Sequence, residues 1–209
     1  GTTPVTVTTN VSSGMWVDVN NNAGAELTLS QSVTPPGPAN LLFNAAPSAL
    51  NTAQVNALIH TDLIHNFITD RSTWTALDVV FPANVNIAST CNAFYNGSSI
   101  NFYQAGGSCP NTAYSSVVAH EYGHHIVNRL GLAQGAFGEG FGDCCSIMLY
   151  NDPVVGRQFS GGSPVRDYSP GIPEDPFPCA GGCGGEVHCC GEILGGLWED
   201  IREQFVATY

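Results

Sequence analysis

The residues best suited to chemistry form the run His120-Glu121-Tyr122-Gly123-His124. Two histidines four residues apart lie on one face of a helix, so both imidazoles can bind a single zinc ion. Glu121 is rotated by about 100° from His120, which puts its carboxylate beside the metal, within reach of a water molecule whose proton it can accept. The pattern predicts a zinc centre in which Glu121 is the catalytic base.

A third ligand is needed to complete such a site, and it must come from further along the chain. The metzincin pattern is excluded, because Val127 and Leu130 occupy the positions where it requires glycine and histidine. Further along the chain from His124, Glu139 and Asp143 share one helical face. Glu139 can complete a three-ligand site with an open fourth position, and Asp143 can accept the free ring N–H of a ligand histidine.

Composition excludes several other classes of function. The 209 residues include 17 acidic side chains against five basic ones, for a net charge of -12, so binding to nucleic acids or to anionic membranes is not expected. No apolar run approaches the roughly 18 residues of a membrane span. The chain is long enough for one domain or for two closely joined lobes.

Eight cysteines in a chain poor in charge indicate an oxidising compartment, so we expect a secreted or extracellular protein, or one of the periplasm or cell surface. Cys91 and Cys109 can staple the segment between them, whereas Cys144 and Cys145 lie on an expected helix. Four more crowd one region: Cys179, Cys183, Cys189 and Cys190. The pairing stays open, and a second metal bound by this crowded group is an alternative, although its spacing matches no common zinc pattern.

The periodicity of apolar residues predicts an α+β fold. The segment 1–30 has the character of antiparallel strands. Helical spacing marks residues 51–69, where His60 and His65 face different ways and cannot easily share a metal. Later strands are expected at 77–81, 85–88 and 99–103, and later helices at 115–130, 137–150 and 186–206.

Residues 117–125 and 138–143 resemble the zinc helix and the third-ligand helix of the thermolysin and fungalysin families, the gluzincins. The resemblance implies His120, His124 and Glu139 as the zinc ligands. It also implies a zincin fold with an N-terminal lobe of mixed sheet and helix over 1–130 and a short, mainly helical C-terminal lobe over 131–209. The active-site cleft would lie between the lobes.

The resemblance implies roles for three further sequence segments. Residues 92–97 are similar to the edge strand on which Asn92 and Ala93 would bind the substrate backbone, although Asn96-Gly97 is also typical of a hairpin turn. The phrase around His188 resembles the start of the helix that bears the family's transition-state histidine. The phrase around Arg166 resembles the stretch that bears its substrate-binding arginine.

The sequence also departs from the family pattern. No tyrosine lies between His124 and Glu139 to act as a second oxyanion donor, which leaves Tyr122 and Tyr168 as candidate substitutes. Ser116 occupies the place of an acidic calcium ligand, so calcium, an option for the family, is not supported by matching ligands. The chain stops at Tyr209, soon after His188, where the family continues with a helical lobe, which indicates a minimal, nicked or truncated chain.

These features together predict a zinc-dependent endopeptidase that acts on polypeptides. Val117 and Val165 resemble the wall of a pocket that would favour an apolar residue just after the cut. The alternative is a non-catalytic, zinc-stabilised module that binds peptides or helps to assemble a larger extracellular complex with other domains or chains. The presence of Glu121 favours the enzyme.

Overall fold

A computed structural model describes residues 3–172, 179 and 183–208. Within these residues the fold is a mixed α+β structure with eight strands and four helices. None of these helices is both long and apolar enough to cross a membrane. The strands are β1 (Val5–Asn10), β2 (Val17–Asn21), β3 (Thr28–Val33), β4 (Phe81–Ile87), β5 (Ala93–Tyr95), β6 (Ile100–Tyr103), β7 (Val154–Val155) and β8 (Arg166–Asp167). The helices are α1 (Ala49–Thr69), α2 (Ser115–Arg129), α3 (Ala136–Tyr150) and α4 (Val187–Thr208).

The central sheet has the strand order β2-β4-β6-β5. Its first three strands are parallel, and β5 runs antiparallel to β6 at one edge. The antiparallel pairing expected within the segment 1–30 is correct for β1 with β3 but wrong for β2, which pairs in parallel with β4. The reason is burial: Val17 and Val19 are fully buried in the core, so a non-local pairing wins over a local hairpin.

Strand β4 is one continuous strand that covers residues 81–87, so the strand predicted at 85–88 is its second half. The strand predicted at 77–81 is wrong except for its last residue, because residues 77–80 contain a turn and a bend. A proline lies within this strand at position 82. The Phe81 N–H donates to the Trp16 carbonyl on the β2 side, so alternation turns Pro82 toward β6. Pairing with β6 begins only at Ala83, and the missing proline N–H therefore costs no ladder hydrogen bond.

Helices α1 and α2 pack side by side against the sheet, α1 on β2 and β4, and α2 on β5 and β6. The four helical predictions are confirmed to within two residues at each end. Helix α1 begins after Ser48, whose hydroxyl accepts the Asn51 N–H and caps the first turn. His60 forms a hydrogen bond with the Tyr150 hydroxyl, and His65 stacks on Trp16 at 3.9 Å, so the two histidines do face different ways.

Glycines let α3 pack closely between α2 and α4. A Cβ on Gly123 would lie 2.6 Å from the Cα of Gly142, which leaves no space for a side chain where α2 meets α3. On the other side, a Cβ on Gly191 of α4 would lie 2.8 Å from the backbone nitrogen of Gly140. Because both contacts are backbone to backbone, the three helices form a stack with fixed spacing.

Six of the eight cysteines form disulfides. Cys91–Cys109 is bonded as the sequence suggested, and the crowded group forms the pairs Cys179–Cys190 and Cys183–Cys189. These pairings replace the alternative of a metal bound by the crowded cysteines, although three of those sulfur atoms lie within 4.8 Å of one another. Cys144 and Cys145 are buried, unpaired thiols.

Replacing Gly123 with alanine tests the close approach of α2 and α3. Overpacking of this kind costs about 1–3 kcal/mol, which is more than the roughly 1 kcal/mol that alanine's better helix propensity contributes. We therefore expect Gly123→Ala to lower the free energy of unfolding, measured by urea denaturation. An unchanged or raised value would contradict the helix spacing described here.

Candidate metal centre

Helix α2 carries the first part of the site into the interior of the protein. Every residue from 116 to 127 is buried, so the helix lies between the sheet and α3 rather than on the surface. His120 and His124 lie on one face with ring centroids 5.0 Å apart, and Glu121 stands beside them. All three side chains reach the same cavity.

Glu139, in the first turn of α3, closes the cluster. Its carboxylate oxygens lie 3.3 Å from His120 Nε2 and 3.6 Å from His124 Nε2. Ligand bonds of about 2.0–2.1 Å in a tetrahedral zinc site place ligand atoms roughly 3.4 Å apart, which matches both separations. The Oε2 atom of Glu139 is buried and has no hydrogen-bond partner, a costly state that a bound cation would relieve. The donor set therefore fits zinc.

Burial and charge give the two glutamates different protonation behaviour. Burial, opposed by the charge of His120, raises the pKa of Glu121 to about 7, which is suitable for a group that accepts and returns a proton near neutral pH. Burial alone would raise the pKa of Glu139, but its close contact with His120 and the charges of His120, His124 and His188 outweigh burial and hold the pKa below its usual value. Glu139 is thus ionised near neutral pH, as a carboxylate ligand must be.

Asp143, one turn after Glu139, is fully buried and receives several donors. Its carboxylate contacts His120 Nδ1 at 2.7 Å, Arg166 Nη2 at 2.7 Å and the Tyr168 hydroxyl at 2.6 Å, and it also accepts the Arg166 Nε–H. Burial alone would raise the pKa of Asp143, but the charges of Arg166 and His120 hold it well below its usual range. A neutral His120 that donates its Nδ1–H to Asp143 would direct the lone pair of Nε2 toward a metal.

His124 has its own partner, which the sequence analysis missed. The Oε1 atom of Gln134 lies 2.9 Å from His124 Nδ1, and Gln134 Nε2 donates to the His124 carbonyl at 3.0 Å. Gln134 lies in the short turn between α2 and α3, where the chain doubles back past His124. The feature of the sequence that could have identified this partner is a polar side chain in that turn.

Two adjoining cavities form the cleft around the cluster. The larger, about 330 Å³, is lined by the candidate metal ligands, Glu121, Gln134 and residues 92–95. The smaller, about 110 Å³, is lined by the apolar side chains Val117, Val155, Phe159 and Val165 together with Arg166. Five residues border both cavities: Asn92, Ala93, His120, Glu121 and His188. The edge strand, the arginine and the histidine predicted to contact substrate therefore meet at one cleft.

His188 reaches the cluster from the first turn of α4. Its Nε2 lies 3.5 Å from Glu139 Oε1, and its side chain is 57% exposed. Its Nδ1 contacts Glu186 Oε1 at 2.6 Å, a partner that the sequence analysis also missed although it lies only two residues away. Hydrogen bonds from the Cys189 N–H and from His188 lower the pKa of Glu186 to about 2, so an anion orients this imidazole.

The two tyrosines named as substitute oxyanion donors do not line the cleft. Tyr122 is fully buried in the core beside Phe81, and its hydroxyl lies in the interior without a hydrogen-bond partner. Tyr168 is 3% exposed and donates to Asp143. Hydroxyl groups so enclosed cannot contact a substrate in either cavity, and that hypothesis is wrong.

Comparison with known proteins adds to this geometry. No protein-family model matches the sequence, and no curated protein matches it. Among solved structures, the chain is similar to the precursor of protealysin, a metalloproteinase from Serratia proteamaculans, with a TM-score of 0.61 and 15% identity. The similarity covers 87% of this chain and 67% of that one. At this identity it establishes the fold alone, which is that of a metalloproteinase precursor.

Replacing Asp143 with asparagine tests the buried contacts of His120. The amide cannot stabilise the Arg166 charge, and leaving a buried charge unpaired costs about 3–5 kcal/mol. Loss of such a partner also lowers metal affinity by about 10–100-fold. We expect both effects for Asp143→Asn, measured by urea denaturation and by zinc titration against a competing chelator.

Asp152→Asn is the matched control. Asp152 also binds an arginine through both carboxylate oxygens, but the pair with Arg157 is exposed and lies outside both cavities. An exposed pair of this kind contributes at most about 1 kcal/mol. Equal losses of stability and of zinc affinity in the two variants would show that burial of the Asp143 contacts is unimportant.

Proposed function

We propose that this chain is a zinc-dependent endopeptidase. The observation that carries the proposal is the position of Glu121, a buried carboxylate beside a three-ligand cluster that opens into a cleft. Similarity in fold to a metalloproteinase precursor supports it. We assign residues 1–130 to an N-terminal lobe and 131–209 to a C-terminal lobe, with His120, His124 and Glu139 holding the ion where α2 meets α3.

The chemistry divides among few residues. A bound zinc ion would supply Lewis acidity, lowering the pKa of a water molecule and polarising a carbonyl group. Glu121 accepts the proton of the attacking water and passes it to the leaving amine, for which a pKa near 7 is suitable. His188, oriented by Glu186, donates a hydrogen bond to the developing oxyanion. Arg166, held by Asp143, binds the carbonyl that follows the scissile bond.

The substrate is proposed to lie along β5 as an added strand. Strand β5 is at the end of the central sheet and pairs only with β6 among the described strands. An extended peptide can continue such an edge through main-chain hydrogen bonds, with Asn92 and Ala93 as its contacts. The residue after the cut would enter the smaller cavity, whose apolar lining favours an apolar side chain.

We further propose that the protein works outside the cytoplasm. Three disulfides among the described residues support an oxidising compartment, where such bonds persist. The net charge of -12 supports a polypeptide substrate rather than a nucleic acid.

The decisive variant is Glu121→Gln, which keeps the shape of the side chain and removes its basicity. General-base catalysis contributes about 10²–10⁴-fold, so we expect kcat to fall by that factor while zinc content stays unchanged. The measurement is peptide cleavage with quantitative metal analysis. Glu203→Gln, on α4 and outside both cavities, is the control and should retain full activity.

Equal and negligible cleavage by wild type and Glu121→Gln, with zinc bound to both, would sink the peptidase proposal. It would favour instead a zinc-stabilised module that binds extended peptides without cutting them. Binding of the same peptides, followed by fluorescence anisotropy, would then identify that second function.

Peptides that differ only in the residue after the cut test the smaller cavity. We expect kcat/KM to be at least about 10-fold higher for leucine than for aspartate, because three valines and a phenylalanine line the cavity, Arg166 is already paired with Asp143, and the Glu121 carboxylate also lines the cavity. Val165→Asp should reduce this preference. Val206→Asp, on an exposed valine of α4, is the control and should keep it. An equal ratio in wild type and both variants would exclude this cavity as the specificity pocket.

A further inference from the structure

His188 lies on an exposed part of the cleft rim that side-chain packing does not hold. Residues 184–188 are all exposed, whereas the candidate metal ligands are buried or nearly so. Along α4, burial begins only at Gly191, which packs against Glu139 and Gly140. The first turn of a helix lacks intrahelical partners for its N–H groups and opens easily. The position of this imidazole therefore needs another restraint.

The disulfide Cys183–Cys189 supplies one. Its cysteines are six residues apart, so the bond closes a small ring that contains both Glu186 and His188. Within the ring, Gly184 and Gly185 have positive φ angles of 59° and 83°, which glycine tolerates without strain. The ring thus holds together the imidazole and the carboxylate that orients it.

The disulfide Cys179–Cys190 supplies a second restraint. Cys190 follows Cys189 directly, so two adjacent residues in the first turn of α4 are bonded to two different points of the preceding segment. The Cys189 N–H also donates to Glu186 Oε2 at 2.9 Å, which ties the ring to the helix end. Covalent bonds therefore restrain the start of α4, whereas packing restrains the site residues on α2 and α3.

We propose that these two disulfides position His188 beside the three candidate metal ligands, and that peptide cleavage depends on both disulfides being oxidised. The inference rests on the proposed peptidase function. The four cysteines are positioning residues, since no sulfur takes part in the reaction. The ligands on α2 and α3 do not depend on them, so their loss lowers the rate of cleavage while zinc stays bound. A misplacement of about 1 Å can cost about 100-fold in rate.

The first test removes the small ring with the double substitution Cys183→Ser and Cys189→Ser. We expect kcat to fall by about 10–100-fold, with zinc content unchanged and KM changed far less. The same pair is then placed in a His188→Ala background. If the ring acts through His188, the double serine substitution causes no further fall in kcat in the His188→Ala background, because both changes remove the same contribution. An equal fall in both backgrounds would overturn the proposal in favour of a general structural role.

A second test uses the folded wild-type protein, in case the variant does not fold. A water-soluble phosphine gives two electrons to each disulfide and takes an oxygen atom from water, whose two hydrogens go to the two new thiols. We expect a similar loss of kcat that reoxidation reverses, with zinc content and near-ultraviolet circular dichroism retained. A variant with serine in place of Cys91 and Cys109 is the control and should lose kcat on reduction as wild type does. A control that no longer responds would assign the effect to Cys91–Cys109 and overturn the proposal.

Wild-type protein distinguishes failure of the peptidase function from failure of the disulfide dependence. Wild-type protein that binds zinc but cleaves no peptide would refute the peptidase function, and this inference with it. Wild type that cleaves peptides at the same kcat before and after reduction would refute the inference alone.

Discussion

The site depends on one buried negative charge, the carboxylate of Asp143. An isolated carboxylate in this position would cost several kcal/mol, so it is tolerated only with close partners. Those partners come from separate parts of the chain: His120 from α2, Arg166 from β8 and Tyr168 from the segment that follows it. The charge is therefore stabilised only when α2, α3 and β8 have come together. Assembly of the site thus depends on the packing that brings these elements together.

Helix α3 connects Asp143 to the candidate metal ligands. Glu139 lies four residues before Asp143 on the same helical face, so fixing one carboxylate fixes the other. A Cβ on Gly142 would lie 2.7 Å from His120 Nδ1, and glycine at this position is what lets the His120 ring reach Asp143. Asp143 also sets the tautomer of His120. Helix α3 thus carries one candidate ligand, Glu139, and orients another, His120.

The sequence predicted those parts of the molecule that local periodicity encodes. Spacing along α2 and α3 was enough to predict the cluster of His120, His124 and Glu139, because each pair is separated by whole helical turns or by one short connection. It did not predict the parallel pairing of β2, because the burial of Val17 depends on β4, a strand that lies beyond β3 and α1 in the chain. Gln134 and Glu186 were missed for a related reason, since a polar residue in a turn has no pattern until the turn is folded around its partner.

The candidate metal ligands and His188 are held in place by different physical means, because the ligands are buried and His188 is exposed at the rim. The ligands are carried by helices that bury apolar surface against the sheet and against each other, so packing fixes them. His188 lies at the rim of the cleft with an exposed side chain. In the proposed function this imidazole has to stay exposed to contact a substrate, so its neighbours cannot enclose it. Covalent cross-links and a pairing with Glu186 can restrain such a residue without covering it. Disulfides of this kind persist in an oxidising compartment, and here two of them lie beside a candidate site residue that the core does not enclose.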